Sequence, residues 1–152
     1  MKQVKEKVGN YCAYRERCSQ EVREKLEQYQ CSEDEIEDLL CYFQSEGFLD
    51  DSRFVEAYAK DKFRQNKWGK IKIRQYLKQK RLPNDLIQAG LNQIPSDEYD
   101  AMIDGLVRRK YELVKGANDY IRSNKTAQSI IAKGFEPDLV WEVLKTIDDQ
   151  SN

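Results

Sequence analysis

The chain has 152 residues, with 26 lysines and arginines against 27 aspartates and glutamates and a net charge of -1. It contains no histidine, which is the commonest acid–base catalyst at neutral pH, and no apolar run near the ~20 residues that a membrane-spanning helix needs. These features argue against an enzyme and against an integral membrane protein. We expect a cytoplasmic protein without a signal peptide.

The first third of the chain is acidic and has the apolar spacing of helices. Ile36, Leu39, Leu40 and Phe43 form an i, i+3, i+4, i+7 stripe, and the preceding SEDE segment fits a capping box. Carboxylates dominate from residue 21 to residue 51, where only two basic side chains offset them. We therefore predict a first helical unit with an acidic surface.

All four cysteines lie in this acidic part: Cys12, Cys18, Cys31 and Cys41. They form no CxxC pair, and no histidine is present to complete a zinc set. We interpret them as small apolar residues on helices in a reducing cytosol, and we expect no disulfide, metal or other cofactor.

A turn and a helix start follow. Gly47 suits the left-handed residue just past a helix end, where Phe48 can fold back on the preceding turn. Asp50, Asp51 or Ser52 then caps the next helix. Its inner face is expected to include the following four residues: Phe54, Ala57, Tyr58 and Phe63. Carboxylates directly before a helix are usually caps, so we do not read Asp50 and Asp51 as catalytic or magnesium-binding.

The charge then inverts, and a basic run extends from residue 60 to residue 81. It contains our candidate partner-binding residues: Lys62, Arg64, Lys67, Trp68, Lys70, Lys72, Arg74 and Lys78. Such a face could grip phosphates or an acidic protein surface, or it could be a solvated helix face. Trp68 stands beside Gly69, where one helix breaks and another begins, and we expect its ring to plug the core.

The apolar stripe of the first third returns twice. Ile87, 51 residues after Ile36, opens the second copy, and Val140, 53 residues further on, opens the third. A period near 50 residues predicts tandem repeats, each too small to bury its apolar face alone. We predict an all-α fold of three tandem three-helix repeats (residues 1–49, 50–95 and 96–152) in an elongated, curved array.

The repeat alignment makes positional predictions. Leu40, Leu91 and Leu144 should be buried at equivalent places in the three repeats. Gly134 suits a left-handed helix end in the third repeat, whereas Arg81 stands at that position in the second. That turn must either carry a strained non-glycine residue, at ~1 kcal/mol, or end differently.

The segment around residues 47–82 resembles the RecX family of bacterial recombination regulators. The matching motif consists of Gly47, Phe48, Leu49, Asp50, Asp51, Arg53, Phe54 and Gly69. Upstream, the resemblance extends to Arg15, Arg17, Ser19, Glu21 and Leu26, and downstream to the segment 130–144. Two departures stand in the second repeat, where Arg81 replaces a usual glycine and Lys70 a usual proline.

The resemblance implies a function as well as three tandem three-helix repeats. Such a protein, here expected to be a monomer, binds the RecA recombinase and its filament on single-stranded DNA and inhibits its ATPase, strand-exchange and coprotease activities. It thereby modulates recombination, DNA repair and the SOS response. Two alternatives remain open: a direct nucleic-acid binder acting as a helix-turn-helix transcription regulator, and an adaptor that touches neither RecA nor DNA.

Overall fold

A computed structural model describes residues 2–151, without the side chains of residues 149–151. Within this range the chain forms nine α-helices and no strand. They are α1 (Lys2–Tyr14), α2 (Ser19–Gln28), α3 (Glu33–Ser45), α4 (Asp51–Arg64), α5 (Lys70–Gln79), α6 (Asn84–Leu91), α7 (Ser96–Leu113), α8 (Asp119–Ile131) and α9 (Pro137–Ser151). The predicted all-α repeat fold is confirmed.

The turn between the second and third helices of each repeat has the same backbone geometry. Gln30, Arg81 and Gly134 all have positive φ, at 62°, 58° and 97°. The amide of each donates to the carbonyl three residues earlier, over 2.9, 3.0 and 2.9 Å. Arg81 therefore adopts the left-handed conformation, which costs a non-glycine residue about 1–2 kcal/mol. The repeat alignment thus holds at the level of the backbone.

The described helices divide into two compact units. One comprises the residues up to Tyr58 together with Leu77–Gly90, and the other comprises Ala59–Tyr76 together with the residues from Leu91 onward. The core of the first unit is formed by Val8, Cys12, Val22, Leu26, Ile36, Leu39, Phe43 and Leu49. In the second unit, α7 packs against α8 and α9 through Tyr99, Ile103, Val107 and Tyr111.

Two details of the predicted core are wrong. Leu91 and Leu144 are 1% exposed, but Leu40 is only half-buried, because Leu39 occupies the core side of α3 instead. On α4, Phe54 and Phe63 are buried as expected, whereas Ala57 is exposed and Tyr58 half-buried. Their places are taken by Val55 and Ala59. The apolar stripe of α4 is thus rotated from the predicted face.

The Gly47 turn joins α3 to α4. Gly47, at φ 79°, and Phe48 donate their amides to Gln44 O and Phe43 O, which is a Schellman ending. The Phe48 ring meets Phe43 edge-on at 6.1 Å, and the next residue, Leu49, is buried. The backbone N–H of Arg53 donates to the Asp50 carboxylate over 3.1 Å, so Asp50 caps α4 as predicted.

The Asp51 carboxylate ties the start of α4 to the start of α2. It accepts the backbone N–H of Ser19 over 2.7 Å and the Ser19 hydroxyl over 2.9 Å. Nearby, Arg53 donates to Glu16 over 2.7 Å and to the carbonyl of Gly47 over 3.1 Å. These contacts give Asp50, Asp51 and Arg53, the charged residues of the motif, structural partners.

Glu21 lies at the centre of a second polar contact in this unit. Its carboxylate accepts the N–H of Cys18 over 3.1 Å and contacts Arg15 and Lys80 over 3.3 and 3.4 Å. Burial alone raises the pKa of this carboxyl, but the Cys18 amide, Lys80 and Arg15 together outweigh burial, and the net pKa is lowered. The ionised form therefore stabilises the fold.

Replacing Asp51 with Ala should lower the free energy of unfolding by about 1–3 kcal/mol, because the amide and hydroxyl of Ser19 lose their charged partner. Urea denaturation followed by circular dichroism measures the change. Asp34→Ala, an exposed position on α3, serves as control and should change stability by less than about 0.5 kcal/mol. An equally small effect of Asp51→Ala would contradict a structural role for this aspartate.

Glu21 should make stability depend on acid pH. Its pKa is lower in the folded than in the unfolded chain, so its contribution is complete above the ordinary value of about 4.3 and is lost as the pH falls through the folded value. We expect Glu21→Gln to be less stable than the parent at pH 7, and the gap to close below about pH 4. Urea titrations at both pH values test this, and a gap that widens in acid would refute it.

Candidate functional site

The basic run lies around the junction of α4 and α5. After α4, Lys67 adopts a left-handed conformation, at φ 57°, and the amide of Trp68 donates to the carbonyl of Lys62 over 3.1 Å. The chain thus turns sharply before α5 begins at Lys70. This turn places lysines of α4 and α5 on either side of Trp68.

Main-chain contacts hold the start of α5 on the α8–α9 turn. The amide of Gly69 donates to the carbonyl of Lys133 over 2.9 Å, and the amide of Ile71 donates to that of Gly134 over 3.0 Å. A Cβ at Gly69 would lie 2.2 Å from the backbone of Gly134, and one at Gly134 would lie 2.3 Å from Cβ of Lys72. Only glycine permits this approach.

A buried tyrosine supports the same helix start. Tyr99 is 3% exposed and packs between Phe63 and Phe135, with ring centroids 5.5 Å away on each side. Its hydroxyl accepts the N–H of Lys70 over 3.0 Å and donates to the carboxylate of Glu136. Burial, and then the bond to Glu136, raise the pKa of Tyr99 well above its ordinary value. Tyr99 is therefore a neutral structural group.

Trp68 is half-buried, so the prediction that it plugs the core is wrong. Its ring lies 4.7 Å from that of Tyr76, which is 40% exposed, at an interplanar angle of 40°. The ammonium groups of Lys62 and Lys72 lie 5.3 and 4.5 Å from the Trp68 ring centroid, within cation–π range. We call these four residues the aromatic–lysine cluster.

The remaining candidates have different surroundings. Arg64 forms a two-point ion pair with Glu98, at 3.0 Å for each bond, so its charge is already compensated. The Lys70 ammonium lies 4.7 Å from the Tyr99 ring centroid. Arg74 is half-buried, and exposed Lys78 lies in the other compact unit. The structure thus brings together only part of the predicted set.

A shallow cavity beside Lys67 adds a residue that sequence reasoning missed. Lys67 and Arg109 line this space of about 220 Å³ with Met102 and Leu106 from α7. Lys67 is exposed and pairs with no carboxylate in the described part of the chain. No sequence motif marks Arg109. Its place beside Lys67 depends on which face of α7 packs toward this junction.

The cysteines fit their predicted role as apolar side chains in part. Cys12 and Cys18 are buried, and burial raises the pKa of the Cys18 thiol to about 11. Cys31 is half-buried and Cys41 is exposed. Among the described side chains, those of residues 2–148, no group of cysteines, aspartates and glutamates is arranged to hold a metal ion. No helix within residues 2–151 has the length and apolarity to cross a membrane.

Comparison with known proteins places most of the chain in one family. Residues 5–43 match the family model for "RecX, first three-helix domain", and residues 50–91 match "RecX, second three-helix domain". A "Regulatory protein RecX" from Legionella pneumophila is 32% identical over 135 residues, covering 88% of this chain and 87% of that protein. One from Oceanobacillus iheyensis is 23% identical over 139 residues, and the match spans 91% of this chain but only 51% of the relative.

Solved structures share the fold. The crystal structure of RecX from Lactobacillus salivarius superposes with a TM-score of 0.88 at 20% identity, covering 97% of this chain and 96% of that one. A second crystal structure of regulatory protein RecX gives a TM-score of 0.83 at 21% identity, over 95% of this chain and 70% of the other. At these identities the likeness concerns the fold.

The close contact between Gly69 and Gly134 predicts that one added methyl group at position 69 lowers the stability of the fold. Gly69→Ala should destabilise the protein by about 1–3 kcal/mol or more, because its Cβ collides with backbone that cannot rotate away. Gly105→Ala is the matched control, since a Cβ there meets nothing within 4 Å and α7 should gain about 0.5–1 kcal/mol. Urea denaturation of both variants checks the difference in sign, and equal effects would rule out the close approach.

Proposed function

The chain belongs to the RecX family, and we propose that it binds the RecA recombinase and its filament on single-stranded DNA and inhibits the filament's ATPase, strand-exchange and coprotease activities. In this role it acts in the cytoplasm as a monomer and modulates recombination, DNA repair and the SOS response. Family membership carries the proposal, since the family models match residues 5–43 and 50–91.

We further propose that the second repeat (residues 50–95), rather than the acidic first repeat (residues 1–49), faces the filament. Two carboxylates of the first repeat, Glu21 and Glu35, have structural partners, since each accepts the amide that precedes its helix. In contrast, neither Lys67 nor Lys72 pairs with a described carboxylate. Their charge remains available to an anionic partner.

A helix-turn-helix transcription regulator is the less supported function. In such modules the second helix of the motif enters the major groove and carries the base contacts. The corresponding helix here, α6, has the sequence NDLIQAGL, which contains no lysine or arginine and has an aspartate in its first turn. A net charge of -1 also offers little general attraction to duplex DNA.

The proposed orientation predicts an asymmetry between two charge reversals. The double variant Lys67→Glu with Lys72→Glu should weaken inhibition of RecA's DNA-dependent ATPase by tenfold or more. Each reversed charge would face an anionic surface, and the repulsion would cost about 1 kcal/mol or more of binding free energy. The control, Asp34→Lys with Glu37→Lys, reverses two exposed carboxylates of α3 and should be far milder. Both variants are titrated against RecA on single-stranded DNA at fixed salt, after their helicity and melting have been compared with the parent.

Two outcomes would contradict the proposal. A parent protein that leaves the ATPase of RecA unchanged, at concentrations well above those of RecA, would remove the proposed function. Retained inhibition by the lysine variant, combined with loss in the α3 variant, would show that the filament contacts the first repeat.

A further inference from the structure

We propose that α7 presents a docking groove for an α-helix of RecA, one that carries basic side chains along one edge and acidic side chains along the other. The groove runs over Ala101 and Gly105, with an acidic flank beside α9 and a basic flank beside the turn before α5. The inference rests on the proposed function, in which RecA is the partner and Lys67 faces the filament. It deepens that function by naming the surface and the kind of element that it binds.

Two cavities meet on this face of α7. The larger, of about 530 Å³, lies between α7 and α9, and its lining includes three apolar side chains: Ile103, Leu139 and Val143. The smaller is the space of about 220 Å³ beside Lys67. Ala101 and Gly105 line both cavities, so the two spaces adjoin across the helix. Together they offer an apolar floor that a bound segment would cover.

The two flanks of the groove carry opposite charges. Asp100 and Glu142 line the larger cavity, and neither has an ion-pair partner in the described part of the chain. The same is true of Lys67 and Arg109, which line the smaller one. The ammonium groups of the aromatic–lysine cluster, in contrast, already lie against the Trp68 ring. Folding therefore leaves four charges of both signs at the groove available to a partner.

Helix geometry separates these charges. At 3.6 residues per turn, Asp100 and Arg109 lie about 180° apart around the axis of α7. Ala101 and Gly105, which are one turn apart, lie between them on the face that both cavities share. Glu142 of α9 joins the acidic side, and Lys67 joins the basic side. The groove thus has one acidic and one basic edge along its length.

This combination of charges disfavours a nucleic acid as the occupant. A phosphate backbone would be attracted by Lys67 and Arg109, but Asp100 and Glu142 would repel it. A protein segment can satisfy both flanks, because it carries charges of both signs. Its apolar side chains can at the same time fill the two cavities.

The backbone of the occupant favours a helix over an extended segment. An extended segment needs partners for its amides and carbonyls, whereas α7 and α9 offer it side chains, since their own main-chain groups are bonded within the helices. A helix satisfies these groups internally and presents apolar side chains at i, i+3, i+4 and i+7. Gly105 lets its axis come close to α7, because a Cβ at Gly105 would meet nothing within 4 Å.

A larger side chain at position 105 tests the groove directly. Gly105→Leu should extend into the space that both cavities share and weaken binding to RecA filaments by tenfold or more. The fold should tolerate the change, since leucine is a good helix former and its Cβ meets no neighbour. Ala101→Leu, one turn earlier, fills the same groove and should have the same effect. The control, Ala13→Leu, adds bulk at an exposed position of α1 and should leave the affinity unchanged.

Affinity is measured by biolayer interferometry on RecA filaments assembled on biotinylated oligo(dT), after helicity and melting of each variant have been compared with the parent. A surface with bare oligo(dT) runs in parallel. Native affinity of both groove variants for the filaments would overturn the proposal.

Reversal of the acidic flank separates this groove from a purely basic contact surface. Asp100→Lys with Glu142→Lys should weaken binding to the filaments by about tenfold, because the basic edge of the RecA helix would meet like charge. If only basic side chains of this region met an anionic filament, the same substitutions would add attraction and tighten binding. Asp34→Lys with Glu37→Lys is the matched control and should change the affinity far less. Unchanged or tighter binding of the flank variant would refute the groove.

Other occupants give different results. A second copy of this chain in the groove would appear in analytical ultracentrifugation as a parent dimer that Gly105→Leu dissociates, and this result would overturn the proposal. A DNA strand in the groove would appear as a loss of affinity of Gly105→Leu for bare oligo(dT), which would overturn it as well. We expect a monomer, and equal affinity of parent and Gly105→Leu for bare oligo(dT).

The same samples distinguish this inference from the proposed function. Filament binding that Gly105→Leu weakens, without inhibition of the RecA ATPase by the parent, would leave the groove standing and remove the inhibitory function. Equal inhibition of the ATPase by the parent and by Gly105→Leu would remove the groove and leave the proposed function standing. A parent that binds no RecA filament would overturn both.

Discussion

The approach of two backbone segments at Gly69 and Gly134 is the constraint on which the candidate site depends. A helix start leaves amide groups without intrahelical partners, and most helices satisfy them with a capping side chain or water. Here the carbonyls of Lys133 and Gly134 accept the amides of Gly69 and Ile71, and the Tyr99 hydroxyl accepts that of Lys70. The start of α5 is thus fixed by groups that no surface substitution removes. The side chains in the turn before α5 are therefore not needed to cap this helix.

Charge has different uses in the acidic and basic parts of the chain. Glu21, Glu35, Asp50 and Asp51 all bond to amides at helix starts, where negative charge also complements the helix dipole. These four carboxylates at helix starts therefore have a reason in stability. In the basic part, Arg64 has Glu98, but Lys67 and Lys72 lie where folding alone does not require a charge. This contrast favours the basic part as the partner surface.

The sequence predicted the features that depend on near neighbours. The repeat period, the buried stripes, the capping box at Ser32 and the left-handed Gly47 and Gly134 all follow from local patterns. The errors concern rotation of a helix about its axis. Leu39 and Leu40 are adjacent, and so are several apolar residues of α4, so periodicity alone leaves two faces of similar hydrophobicity. Only the packing against other helices decides between them.

The sequence predicted the basic segment that contains the candidate site, but not the spatial arrangement of its side chains. The half-buried position of Trp68 beside Gly69 is set together with the contact between Gly69 and Gly134, which are far apart in the sequence. A core position was the reasonable expectation for a large aromatic residue. The pairing of Arg64 with Glu98 and the position of Arg109 beside Lys67 likewise depend on where α7 packs. Spacing along one chain cannot provide that information.

The basic residues around the α4–α5 junction differ in their surroundings. Lys62 and Lys72 lie against the Trp68 ring, where cation–π contacts already engage their ammonium groups. Lys67 and Arg109 instead line a cavity with Met102 and Leu106, which combines charge with apolar surface, as protein interfaces do. Under the proposed function, this cavity is therefore the part of the basic surface best suited to a contact with RecA.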